Sequence, residues 1–105
     1  MPKFLLVYHG GGMPETEEEG AKAMALWQAW FEKDGPAFVD GGNPVGLSKT
    51  VSSGGVADDG GANPVSGYSI IQADDMAGAL AVAKGCPLVV DGSGSCEVAE
   101  IVEIG

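Results

Sequence analysis

One histidine, two cysteines and fifteen carboxylates hold most of the chemistry available to this 105-residue chain. His9 is the only one of these groups that titrates near neutrality unaided, and it follows a short apolar run beside Gly10, Gly11 and Gly12. An imidazole at a strand end next to a glycine-rich turn commonly faces a cleft, where it serves as a general acid or base. Such a group works best with an orienting carboxylate. Asp34 and Asp40 stand at the two ends of the segment joining the first predicted helix to the second predicted strand. Either would orient the ring and stabilise its cation. Each also has a plain structural reading: His9 as a strand-end hydrogen-bonding group, Asp34 as a helix-end residue, Asp40 as the last residue before two glycines.

Ser48, Lys49 and Thr50 sit in a long glycine-rich excursion, and Tyr68 lies on the strand that follows it. Ser48, Lys49 and Tyr68 are the candidate ligand-binding side chains, with ordinary solvent-facing alternation as the alternative. Glu100 interrupts an apolar row between Val98 and Val102, so it reads either as a partly buried carboxylate or as a solvated edge residue. Trp27 and Trp30 belong to the core first. Cys86 and Cys96 stand ten apart with no C-x-x-C pair, and one histidine cannot complete a zinc quartet, so neither metal nor cofactor is expected. A disulfide between them is geometrically possible but not needed in a reducing compartment. Cys86, lacking a basic cluster, reads as a small buried residue and not as a nucleophile. The three glycines lack the spacing and the Lys-Ser/Thr ending of a phosphate loop.

Five basic residues against fifteen acidic ones leave a formal charge of −10 and a pI near 4.1. The chain would repel a phosphate backbone, so neither nucleic acid nor an anionic membrane is an expected partner. The apolar run at residues 4–8 is too short for a signal core or a membrane span, and a cytoplasmic location is expected. A hydrophobic content of 45% argues against disorder. At this length the expectation is one domain, residues 1–105.

The elements that must position these groups follow from periodicity and punctuation. Residues 3–9 place Phe4, Leu6 and Tyr8 on one face and Leu5, Val7 and His9 on the other, which predicts a strand covered on both sides. Thr16 with Glu19 three residues later reads as a capping box opening a helix over 17–33. Ala23, Met24, Trp27, Trp30 and Phe31 form its apolar stripe, and Gly35 suits a left-handed position after its last turn. A short strand is predicted at 37–40, stopped by Gly41 and Gly42. Within the excursion, 47–52 alternates and Gly54-Gly55 turns it back as a small hairpin. A third main strand is predicted at 67–73, then a helix over 75–84 capped by Asp74, with a stripe of Met76, Ala79, Leu80 and Ala83 and an end marked by Gly85 and Pro87. A short extended piece at 88–90, a turn at 92–95 and a strand at 96–104 complete the order.

Strand, helix, strand, excursion, strand, helix, strand is an α+β order: the split-βαβ, ferredoxin-like βαββαβ arrangement with an inserted hairpin. Two helices cover one face of such a sheet. The first and last strands carry apolar residues on both faces, so the other face needs cover, and a second copy packing sheet on sheet is the simplest source. A homodimer is therefore expected.

The ordered set Lys3-Phe4-Leu5-Leu6-Val7-Tyr8, Ala29-Trp30-Phe31, Val39-Asp40-Gly41-Gly42-Asn43-Pro44, Gly67-Tyr68-Ser69-Ile70-Ile71, Ala83-Lys84-Gly85-Cys86-Pro87 and Glu97-Val98-Ala99-Glu100-Ile101 resembles the YCII-related family of small dimeric α+β proteins, which takes in the DGPF-type proteins. The resemblance covers nearly the whole chain. It implies a ferredoxin-like fold, a dimeric α+β barrel and a cleft in the dimer. Some relatives carry an acid–base pair made of a histidine in the first helix and an aspartate near the second strand. The helix over 17–33 has no histidine, so only the aspartate carries over, onto Asp40. The Asp-Gly-Pro-Phe signature would fall in the excursion, where this chain has Asp58-Asp59-Gly60-Gly61. Two functions follow as expectations: a cofactor-independent acid–base lyase or isomerase acting on a small molecule, or a noncatalytic small-molecule-binding or regulatory module linked to transcription.

Overall fold

Every second residue of the first strand points into the helix layer, and that alternation organises the chain. The computed structural model describes residues 1–11 and 15–104, so Gly12 and Pro14 of the expected glycine turn lie outside the described residues. Strand β1 (Lys3–Gly10) pairs on one side with β5 (Val65–Gln72) and on the other with β6 (Gly94–Glu100). Strand β2 (Phe38–Pro44) completes the sheet outside β5, giving the order β2-β5-β1-β6 with every pair antiparallel. This is the ferredoxin-like α+β arrangement expected from the element order. The excursion forms its own two-stranded hairpin, β3 (Thr50–Ser52) with β4 (Gly55–Ala57).

Helix α1 spans Glu17–Lys33, the range its caps predict. The Thr16 side chain accepts from the Glu19 N–H at 3.1 Å, while the Glu19 carboxylate reaches back to the Glu15 N–H at 3.0 Å. The reciprocal half of the capping box thus closes one residue earlier than the usual pattern. Three glutamates in the first turn and Lys33 in the last complement the helix dipole. Trp30 anchors the packing: it is buried, and its indole N–H donates to the Val82 carbonyl at 3.0 Å. Around it Phe38 packs edge-on at 5.0 Å and Phe31 stacks at 5.6 Å. Phe4, Leu6, Tyr8 and Ile71 from the sheet, Ala79 and Ala83 from helix α2 (Met76–Ala83) and Cys86 fill the rest of the core.

Several local expectations are corrected. Gly35 does not take a left-handed conformation; residues Gly35–Ala37 make a 3-10 turn led by Pro36. Gly85 is needed for space instead, because a Cβ there would lie 3.0 Å from the Trp30 ring. Strand β2 runs past Gly41 to Pro44, since Gly42 at φ +72° absorbs an irregularity and lets Asn43 and Pro44 resume pairing with Tyr68 and Gly67. Pro44 is tolerated because β2 is an edge strand. The cap of α2 is Asp75, which accepts from the Gly78 N–H at 2.8 Å, not Asp74. Met76 and Leu80 stay exposed while the two small alanines make the close approach. Residues 88–90 are not extended: Pro87 opens a single helical turn, α3 (Pro87–Val90). Strand β6 ends at Glu100 because β1 has no residue left to pair beyond Lys3, whose carbonyl accepts from Ile101 at 2.9 Å.

The hairpin projects from this frame. Residues 49–59 are all exposed, and the radius of gyration of 14.9 Å exceeds the roughly 13 Å typical of a compact chain of this length. Among the described residues no helix is long and apolar enough to cross a membrane.

A Cβ at Gly42 would run into the Tyr68 carbonyl oxygen, and its backbone is left-handed as well. Gly42→Ala is therefore expected to lose more than the roughly 1–3 kcal/mol that such backbone strain alone costs. Gly46, with a free Cβ position and no positive φ, should tolerate alanine. Urea unfolding of the two variants checks the contrast.

Candidate functional site

Tyr8 and His9 are neighbours in sequence and opposites in space. Tyr8 points under α1, while His9 points to the face of the sheet that carries no helix. On the helix side a cleft of about 620 Å³ opens between α1 and the Gly41–Pro44 end of β2. Trp27, Phe31 and Met24 form its helical wall, Tyr8 its floor, and Leu88 of α3 its far side. Gln28, Asn43 and Ser66 supply polar atoms, and Tyr68 also lines it. None of its described lining residues carries a charged side chain.

The cleft floor rests on a buried relay. Ser69 Oγ donates to the Gly41 carbonyl at 2.7 Å, so the Tyr8 hydroxyl, 2.6 Å away, donates to Ser69. Burial pushes the Tyr8 hydroxyl well above the ordinary phenol range, only partly offset by its bond to Ser69. Tyr8 thus stays protonated and fixes the Gly41 backbone at the mouth of the cleft. Trp27 stacks edge-on against Tyr8 at 5.0 Å, which fixes the angle between wall and floor.

His9 is held at both ring nitrogens. Nδ1 donates to the Asn63 carbonyl at 3.0 Å, and Nε2 faces Glu97 Oε1 at 2.9 Å. The Glu97 carboxylate raises the His9 pKa above its usual value; partial burial opposes this, and the Pro64 and Asn63 carbonyls reinforce it. Glu97 reaches the ring diagonally, since the residue directly opposite His9 on β6 is Ser95. The imidazole therefore ties β6 to the returning leg of the excursion.

Neither expected aspartate meets this ring. Asp40 pairs opposite Ile70 and His9 opposite Val65, which separates them by roughly 17 Å along the sheet and 10 Å across it. The Asp40 carboxylate accepts from the Gly42 N–H at 2.8 Å and so braces the bend in β2. Asp34 ends α1, its N–H bonded to the Trp30 carbonyl at 3.1 Å. Lys49 pairs with Asp58 at 3.4 Å within the exposed hairpin, and Ser48 is half-buried against Gly60. Neither lines the cleft; of the three expected ligand-binding residues only Tyr68 does. Glu100 lies exposed on the edge strand β6, opposite Phe4. Among the described residues no group of His, Cys, Asp and Glu is arranged to hold a metal ion.

The sequence reading missed Glu97 and the Tyr8–Ser69–Gly41 relay. Alternation along β6 does put Glu97 and Ala99 opposite in sense to Cys96 and Val98. The register that brings Glu97 to His9 is not written in either strand alone.

No family model matches the chain, and no curated protein matches it. A solved structure has the same fold: 5-chloro-2-hydroxyhydroquinone dehydrochlorinase from Burkholderia phenoliruptrix AC1100, in complex with 2,5-dihydroxybenzoquinone. It superposes with a TM-score of 0.59 at 16% identity, over 98% of this chain and 95% of that one.

A raised histidine pKa gives stability that is full below the unfolded value of about 6.5 and fades as pH rises through the folded one. Replacing His9 by Gln should accordingly cost more stability at about pH 5.5 than at about pH 9. Thermal melts of both proteins across that range would refute the latch if the gap stayed constant.

Proposed function

We propose that the chain binds a flat, uncharged aromatic small molecule in the cleft between α1 and β2, as a single YCII-like domain. The carrying observation is the make-up of the wall: Trp27, Phe31 and Tyr8 around a cavity of about 620 Å³, with amide and backbone groups but no charged side chain among its described lining. Such a cavity holds one or two fused rings, stacks them on aromatic faces and orients them through Gln28 and Asn43. A net charge of −10 further disfavours anionic ligands. The neighbour of the same fold supports only the flat six-membered ring of this ligand class, since it was solved with 2,5-dihydroxybenzoquinone.

This is the binding-module reading of the two expected from sequence. The acid–base reading gains less support, because His9 lies on the other face of the sheet and has both ring nitrogens engaged. Calorimetric titration with 2-naphthol and with 2-naphthoate tests the ligand class. The neutral phenol should bind at least about tenfold more tightly, and Trp27→Ala should weaken it by a similar factor. Equal binding of the two compounds, or unchanged binding by the variant, would remove the reading.

The helix-free face supports the second part of the proposal, a homodimer with sheets facing one another. Leu5, Val7 and Ile70 lie on it only half-buried within one chain. Val7→Glu would place a charge at its centre and should shift a micromolar dimer to monomer in sedimentation velocity runs. A wild-type chain that sediments as a monomer would refute the pairing.

A further inference from the structure

Two copies that meet through their helix-free faces must cover whatever stands on those faces, and a charge stands near the middle. Glu97 lies directly opposite Val7 on the neighbouring strand, and its side chain is 66% exposed within one chain. A partner that covers Val7 therefore covers Glu97. Taking a carboxylate out of water is strongly unfavourable unless a cation and hydrogen bonds compensate it. Lys3 and Asp40 share the face but stand apart from Glu97. Lys3 pairs with Gln72, about 13 Å from Val7 along β1, and Asp40 is on β2, three strands from β6. Among the described residues, the cation within hydrogen-bond reach of Glu97 is His9, at 2.9 Å.

The ring meets its surroundings only when it carries both protons. Nδ1 faces the Asn63 carbonyl at 3.0 Å and the Pro64 carbonyl at 3.3 Å, and Nε2 faces Glu97 Oε1 at 2.9 Å. These are all acceptors. A neutral imidazole has one N–H, so it would leave its other nitrogen lone pair against lone pair, whereas imidazolium donates on both sides. The side chain is only 12% exposed, so water has little room to relieve the mismatch.

From this placement we infer that pairing of two copies is proton-linked: each chain enters the dimer with an imidazolium at His9 neutralising Glu97, and loss of that proton drives the copies apart. The inference rests on the sheet-to-sheet homodimer proposed above and adds its regulation by pH.

The direction follows from the charges. While His9 is protonated, the covered pair is neutral overall. Once it is not, Glu97 is an uncompensated carboxylate beneath the partner, and the monomer, where Glu97 regains water, is favoured. The Glu97 hydrogen bond lifts the His9 pKa above its usual value, so this loss comes above about pH 6.5. No other charge faces the ring from the strands around it: Ser95 is opposite on β6 and Val65 on β5. The net charge of −10 acts in the same sense, since each retained proton lowers the repulsion between two acidic copies.

Sedimentation velocity over a concentration series, in dithiothreitol, at about pH 6 and about pH 9 tests the linkage, with far-UV circular dichroism reporting that each sample is folded. Two protons leave per dimer, so the wild-type dissociation constant should rise by at least about tenfold between the two conditions. Glu97→Gln removes the charge that needs compensation. It should pair equally well at both pH values and more tightly than wild type at pH 9. A wild-type dimer with one dissociation constant at both pH values overturns the linkage and leaves the sheet pairing standing; so does a Glu97→Gln variant that keeps the full wild-type pH dependence. A wild-type chain that is monomeric even at pH 6 removes the pairing itself, and the linkage with it. The wild-type comparison decides whether or not the variant folds.

Discussion

The structure depends on the two-residue period of β1. As one of the two inner strands, it must satisfy both neighbours through its backbone and two different environments through its side chains. Phe4, Leu6 and Tyr8 go under the helices and are buried, while Leu5, Val7 and His9 go to the bare face and remain half-buried. A slip of one residue would exchange the two sets, putting an imidazole into the aromatic core and a tyrosine outside. The cleft, the relay beneath it and the His9 latch all follow from this one register.

Helix α1 gives that register its depth. Trp30 fills the space that Gly85 leaves open and bonds the end of α2 through its indole N–H. It holds the helix at a height where Trp27 and Phe31, on the adjacent stripe, can be wall and core at once. The aromatic residues that the sequence presents as one packing stripe therefore divide. Trp30 is buried, whereas Trp27 and Phe31 stay partly open to the cleft. Shape complementarity of small residues decides the division, with Ala79 and Ala83 bringing α2 close beneath.

Local chemistry was legible in the sequence, and pairing was not. The bounds of α1, the existence of the hairpin and the α+β order follow from caps, periodicity and punctuation that each reside in a few adjacent residues, although the hairpin turns at Ser53-Gly54, one residue before the expected Gly54-Gly55. The partner of His9 needed the offset between β1 and β6, which depends on how two strands far apart in the chain meet. The same holds for Asp40: its place at the end of the segment joining the first helix to the second strand suggested a site, yet the two glycines after it let the strand bend, and the carboxylate bonds the bend itself. The run at 88–90 misled because β-branched residues favour strands. A proline at the first position of a turn outweighed them.

The excursion between β2 and β5 leaves the sheet at Pro44 and returns at Val65, and its two ends are held independently of what lies between. The Val45 N–H bonds the Ser66 carbonyl at 3.0 Å, and His9 grips the Asn63 carbonyl. Closure entropy grows only slowly with loop length, about 0.6 kcal/mol per doubling. With its roots clamped, the hairpin is free to change length or content without disturbing the strands that frame the cleft. It is the segment where divergence, or a grafted peptide, would meet the least resistance.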